Sequence, residues 1–328
     1  MSKEAVPYPV RHSVGVKLAY CIQCLKSDSG EDRMAFGTLS TSSGDQGSFV
    51  AVFDGHAGSR AAEFCSQQIS SCLNENITNL PEDINAGVAQ TCRQLNSMLL
   101  DRFPDDKSGT TFIILIAHKQ KLYTSWVGDS EAYIFHSKDF HPLSAPVHDF
   151  ADDIKERLRE DLKKPEYEGY TILNSPAEFS EIKTKFQCWF SSNGKKLSVV
   201  PSDNVIKRYG GGFETSISVS RSIGDPRFGE LLKPEPDSSA TTILDNSIVI
   251  IGSDGLWDVI PPAEVQQRVR KLAGEILDDA NVKLPQSEAN IKATLKRLSQ
   301  DIMAEALRRW GDGYRDDVSF FVCWFNPE

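Results

Sequence analysis

Five almost unbroken apolar runs punctuate the chain, at residues 49–53, 112–117, 122–127, 248–251 and 318–325. Runs this short, with little polar alternation, fit strands covered on both faces. Between them the period changes. Ala61, Phe64, Cys65, Ile69, Cys72 and Leu73 recur at intervals of three and four, and Ile84, Val88, Cys92, Leu95 and Leu99 repeat the pattern. That spacing lines one side of an α-helix, so a pair of helices is expected after the first run. Val265, Val269, Leu272 and Ile276, then Ile291, Leu295, Leu298 and Ile302, predict a second pair before the last strand. The stripes are read as core faces. Helices that come in pairs between groups of strands indicate α+β layers and not a doubly wound parallel sheet.

The middle of the chain breaks this pattern. Residues 137–206 are polar and irregular and contain the charge run DDIKERLREDLKKPEYE, in which Ile154, Leu158 and Leu162 fit one short helix. The segment reads as an insertion mounted on the surface, with the charge run as a solvated face.

Composition narrows the function classes. The 328 residues are 40% hydrophobic and 25% charged, as in an ordinary globular protein. Lys plus Arg number 36 against 46 Asp plus Glu, a net charge of -10, which argues against a dedicated nucleic-acid or membrane-surface binder. No apolar stretch approaches the roughly 18 residues of a membrane span, and the opening MSKEAVPYPVRHSVG lacks the apolar core of a secretory signal. Ser2 and the closing CWFNPE match no lipidation signal. A cytoplasmic or nuclear monomer is expected. Cys65, Cys72, Cys92 and Cys323 lie in apolar patterns and read as reduced, buried thiols, and Cys21 with Cys24 forms a lone CxxC without a second pair.

Candidate chemistry gathers where apolar runs meet carboxylates: FVAVFDGHAG, YTSWVGDSEA, IVIIGSDGLWD and RDDVSFFVCWF. An ionised Asp at the end of a buried strand costs several kcal/mol unless it is paired. Singly, each Asp also fits a turn or a helix cap. Together, Asp54, Asp129, Asp254 and Asp316 at strand ends imply a compensating cation. Oxygen ligands suit Mg²⁺ or Mn²⁺, whereas zinc asks for His or Cys ligands that these motifs do not supply. His56, directly after Asp54 and Gly55, is a candidate acid or base. Other phosphate chemistries are absent: no Cys is followed six positions later by Arg, and neither GxxxxGK[ST] nor GxGxxG occurs, the glycines at 210–212 included.

GEDRM (30–34), FDGHAG (53–58), SGTT (108–111), VGDSEA (127–132), SVSRSIGD (218–225), SDGLWDV (253–259) and RDDVSFFV (315–322) resemble, in order, the motifs of the metal-dependent protein phosphatases of type 2C. They span about 290 of the 328 residues. The resemblance implies one domain over residues 1–328, with 137–206 as its flap. It implies a four-layer α-β-β-α sandwich, two antiparallel sheets flanked by helix pairs, with metals at one end. The implied activity is hydrolysis of phosphoserine and phosphothreonine in phosphorylated protein substrates.

Carried over by position, Asp54 bridges two Mg²⁺ or Mn²⁺ ions, Gly55 offers its carbonyl, and Asp254 and Asp316 bind the first ion. Glu31 serves the second ion through water, Asp129 with Asp254 forms a weaker third site, and Asp32, Asp258 and Asp317 stand behind these ligands. The resemblance further implies that paired cations would lower the pKa of a shared water that attacks phosphorus, and that His56 would protonate the leaving alkoxide. Three positions depart from the family pattern. Ser27 replaces the Arg that holds the substrate phosphate, which leaves Lys26 or Arg33 as substitutes. Glu131 replaces an Arg, and Asp317 an Asn. A binding scaffold that has lost catalysis and a hydrolase of small phosphate metabolites are the alternative readings.

Overall fold

Two antiparallel sheets lie face to face. The first has the strand order Val6–Pro7, Val16–Leu25, Val318–Pro327, Ser247–Gly252, Glu131–Phe135 and Phe140–Pro142, with Arg11–Ser13 also paired to Val16–Leu25. The second runs Asp237–Thr242, Lys121–Val127, Phe112–His118, Gln46–Phe53 and Arg33–Ser40. The computed structural model describes residues 6–7, 11–13, 16–25, 30–41, 44–148, 170–172, 186–190, 197–201, 215–243, 246–277, 287–311 and 315–327. Among these are the helices α1 (Arg60–Asn76), α2 (Ile84–Arg102), α3 (Asp254–Trp257), α4 (Pro262–Leu277) and α5 (Glu288–Trp310).

Period-two alternation explains why the strands are apolar throughout. Val50, Val52, Ile113 and Leu115 face Val249, Ile251, Phe321 and Cys323 in the core between the sheets. The alternate residues Phe49, Ala51, Phe53, Ile114 and Ile116 pack under α1 and α2. On the other sheet, Ile248, Ile250, Phe320, Val322 and Trp324 pack under α4 and α5. The result is the expected α-β-β-α order. Burial of each large side chain contributes roughly 1.5–3 kcal/mol, so the doubly covered strands are the most strongly anchored parts of the chain.

Cys65, Cys72, Cys92 and Cys323 are buried free thiols, as their apolar settings implied. Burial pushes the Cys65 and Cys92 thiols up, away from the reactive thiolate form.

The middle segment contains more order than its polarity suggested. Phe140–Pro142 forms an edge strand against Glu131–Phe135, and His148 is buried. A separate four-stranded patch joins Tyr170–Ile172, Phe186–Phe190, Leu197–Pro201 and Thr215–Ile217, the first two in parallel. The short helix expected around Ile154, Leu158 and Leu162, and the glycines at 210–212, lie outside the described residues. No described helix is long and apolar enough to cross a membrane.

Candidate functional site

Strand register brings the motif carboxylates to one end of the sandwich. Phe53 is opposite Arg33, Phe112 is opposite Val127, and Gly252 is opposite both Glu131 and Phe320. Asp54, Asp129 and Asp254 each lie within two residues of one of these positions, and Asp316 lies two residues before Val318, which is opposite Leu25. Backbone bonds fix the first of them: Thr111 N–H and Thr110 Oγ1 donate to Asp54 O at 2.8 and 3.0 Å.

Asp54, Asp129 and Asp254 each offer a carboxylate oxygen within 4.8 Å of the others. Burial, followed by the charge of Asp254, holds the Asp54 and Asp129 carboxyls well above the ordinary carboxylate range. Burial pushes Asp254 up to about 6 against the hydrogen bond from Asp54, and Asp316 adds to the rise. Asp254 Oδ1 is buried without a hydrogen-bond partner among the described residues. Three carboxylates this close, one with an orphaned buried oxygen, are unfavourable unless a cation is shared. The all-oxygen donor set fits Mg²⁺ or Mn²⁺.

The remaining expected ligands surround this trio. Glu31 is held by Gly58 N–H, which donates to its Oε1 at 2.6 Å. Gly55 packs so closely on the Glu31 backbone that a Cβ there would lie 2.6 Å from the Glu31 carbonyl oxygen. Glu31 and Asp316 stand outside the tight trio, although the charge of Asp316 still raises Asp254. Behind them, Asp32 and Asp317 are buried together. Asp32 N–H donates to Asp317 Oδ2 at 2.9 Å, and Ser253 Oγ donates to Asp32 Oδ2 at 3.0 Å. Burial pushes the Asp32 carboxyl up to about 7, with Asp317 adding to the rise and the Ser319 and Ser253 hydroxyls opposing it. Asp258 is exposed at the end of α3.

A second group converges on His56. A small sheet of Gly55–His56, Gly109–Thr110 and Ile223–Gly224 unites three motifs separated in sequence. It places Asp225 Oδ2 2.7 Å from His56 Nε2. Asp225 is completely buried, whereas the imidazole is 29% exposed. Burial pulls the His56 pKa down, but the Asp225 carboxylate, with Asp129 and Glu31, outweighs it and leaves the pKa raised. Ser222 Oγ also donates to Asp225 Oδ2, at 2.5 Å.

The phosphate-binding expectations fare differently. Lys26 and Ser27 lie outside the described residues. Arg33 is committed elsewhere: its guanidinium donates to Gly30 O and Asp32 O at 2.8 Å and pairs with Glu63 at 3.0 Å. Glu131 accepts from Tyr133 Oη at 2.6 Å, and burial pushes its carboxyl up.

The profile described as PP2C, protein phosphatase 2C, matches residues 24–161 and 199–309. The chain belongs to the protein phosphatase 2C family. Probable protein phosphatase 2C 55 of Oryza sativa subsp. japonica is 27% identical over 241 residues, covering 71% of this chain and 51% of that protein. Protein phosphatase 1A of Homo sapiens is 24% identical over 300 residues, covering 85% and 62%. The chain thus spans about half to two thirds of the length of these relatives. Among solved structures, the serine-threonine phosphatase 2C from Toxoplasma gondii superposes with a TM-score of 0.64 at 16% identity, covering 98% of both chains. A C. elegans sex determining protein gives 0.65 at 19% identity, covering 96% of this chain and 66% of its own. Both share the protein phosphatase 2C fold seen here.

The stretch 162–198 that the protein phosphatase 2C profile leaves unmatched falls inside the expected flap. Sequence reasoning gave Asp225 no role, although it lies in the SVSRSIGD motif. Its signal was a buried-type carboxylate after Gly224, but nothing in the linear pattern says that it meets a residue 169 positions away.

Proposed function

We propose that this protein phosphatase 2C chain is a Mg²⁺- or Mn²⁺-dependent hydrolase of phosphoserine and phosphothreonine in proteins. The observation that carries the reading is the convergence of Asp54, Asp129 and Asp254, with Asp254 Oδ1 buried and without a hydrogen-bond partner among the described residues, together with the His56–Asp225 pair. Two ions, with a weaker third, would be held by Asp54, the Gly55 carbonyl, Asp254, Asp316, Glu31 and Asp129. When bound, such cations supply water activation and neutralise phosphoryl charge.

The chain's own residues perform the rest. Asp225 keeps a proton on His56 Nε2 and sets the plane of the ring. Nδ1 is then the nitrogen that protonates the leaving serine or threonine oxygen. The Asp225 carboxylate, which raises the His56 pKa against the effect of burial, favours the protonated ring. The buried Asp32, Asp317 and Ser253 network restrains the backbone that carries Glu31 and Asp254.

One observation favours a weaker enzyme or a binding scaffold. Arg33, a candidate substitute for the missing phosphate-binding Arg, is already occupied by Glu63 and two carbonyls. Phosphate release from a phosphothreonine peptide and from a nucleoside monophosphate, each with Mn²⁺, Mg²⁺ or excess chelator, separates the readings. Metal-dependent release from the peptide alone supports the protein phosphatase. Release from the nucleotide alone points to metabolite hydrolysis, and no release from folded protein that binds Mn²⁺ points to a scaffold.

A further inference from the structure

A cavity of about 430 Å³ opens between the start of α1 and the end of α2. It adjoins the metal-ligand loop through Gly58, which lines it and holds Glu31. Phe64 and Phe103 pack edge to face with ring centroids 5.8 Å apart. Two guanidinium groups share this aromatic platform. Arg60 lies 5.1 Å over the Phe103 ring, and Arg102 lies 5.5 Å over the same ring and 6.0 Å over Phe64.

Contact with the rings holds both guanidinium groups while leaving the N–H edge of Arg102 and the second amino group of Arg60 available, an arrangement that suits a carboxylate or phosphate. The neighbouring carboxylates cancel this charge only in part. Glu63 is taken by Arg33 at 3.0 Å. Asp106 Oδ1 accepts from the Ser108 hydroxyl and from its N–H, the latter at 2.9 Å, and Asp106 Oδ2 pairs with Arg60 Nη1 at 3.6 Å. Arg102 makes no ion pair among the described residues. With Arg33 on Glu63 and Arg60 on Asp106, Arg102 leaves the cavity with an excess positive charge, a local reversal of sign in a chain with a net charge of -10.

We propose that this cavity binds an acidic side chain of the phosphoprotein substrate, a carboxylate or a second phosphate, close to the phosphoryl group that is removed. The proposal rests on the phosphatase reading and adds a substrate preference to it. Charge complementarity and continuity with the metal-ligand loop select this occupant.

The test uses phosphothreonine peptides flanked on each side by Glu, by Gln or by Lys, with p-nitrophenyl phosphate as a substrate that has no flanks. Wild-type kcat/KM is expected to favour the Glu peptide over the Gln peptide about tenfold at low salt, with the preference shrinking as ionic strength rises. Arg60→Gln with Arg102→Gln should abolish that ratio, and Arg102→Glu should turn the preference towards the Lys peptide. A Glu-to-Gln ratio of one in wild type, or a ratio that survives both arginine variants, overturns the proposal. Loss of turnover on every substrate, p-nitrophenyl phosphate included, contradicts the phosphatase reading instead. In that event, anisotropy of the labelled Glu peptide decides the cavity separately: weaker binding to the double variant supports the subsite, and equal binding overturns it.

Discussion

His56 and Asp225 meet at 2.7 Å through a three-stranded ribbon built from three separate motifs. The carboxylate is fully buried, and the Asp225 φ of 54° lies in the left-handed region, which Asp tolerates better than most non-glycine residues. The pair therefore has the character of a fixed orienting contact, comparable in logic to a carboxylate behind a catalytic imidazole.

Asp225→Asn should lower kcat about a hundredfold while KM changes less than about threefold, because ring orientation and proton delivery suffer before binding does. Steady-state kinetics on a phosphothreonine peptide, with circular dichroism as a check on folding, gives the split. A change in KM alone would assign Asp225 to substrate binding.

Gly109 lies against this pair so closely that a Cβ built on it would overlap Asp225 Oδ2 and His56 Nε2. Gly109→Ala is expected to separate the two side chains, reduce kcat in the same direction as Asp225→Asn, and cost about 1–3 kcal/mol of stability from overpacking. Denaturant melts paired with kinetics check both effects.

The carboxylate trio predicts that divalent cations stabilise the fold. At Mn²⁺ concentrations about a hundredfold above Kd, the stabilisation should be about 2.7 kcal/mol, seen as a higher Tm that chelator reverses. Asp254→Ala should lose most of this rise while keeping its unfolding cooperative, since α3 and its surroundings are anchored by Leu256 and Trp257. A Tm that does not respond to Mn²⁺ in the wild type would contradict the site.

At the opposite sheet, Glu305 binds Arg308 and Arg309 within α5, and Arg309 pairs with Glu264 of α4. Hydrogen bonds from Arg308 and then Arg309 hold the Glu305 carboxyl down to about 2 from its ordinary 4.5. Because the folded pKa lies below the unfolded one, this contribution is present above about pH 4.5 and is lost as pH falls towards 2. Thermal melts should show a smaller acid-side loss for Glu305→Gln than for the wild type. The difference will be modest, since Arg308 is exposed and Glu264 partly so, and solvent screens their charges.

Much of the scaffold was legible because both sheets are covered on both faces. Residues such as Val50 and Phe49 serve different cores, so the strands read as continuous apolar runs. Helix stripes such as Ile84, Val88, Cys92, Leu95 and Leu99 carried the flanking layers equally well. The ordered part of the middle segment was not legible, because short strands such as Phe140–Pro142 and Tyr170–Ile172 take their order from pairing and not from a local apolar period. In the site, carboxylates at strand ends announced the Asp54, Asp129 and Asp254 cluster. The partner of His56 did not announce itself, since contact across 169 residues depends on register in the small sheet. Arg33 sat in a motif that suggested phosphate binding, yet Glu63 on α1 lies within its reach and claims it.

The most direct measurement follows phosphate release from a phosphothreonine peptide while Mn²⁺ is titrated into chelator-treated protein. The account requires activity that rises with bound metal in the wild type and stays at background in Asp54→Ala at every metal concentration. Release that persists in excess chelator, or that survives Asp54→Ala, would contradict it.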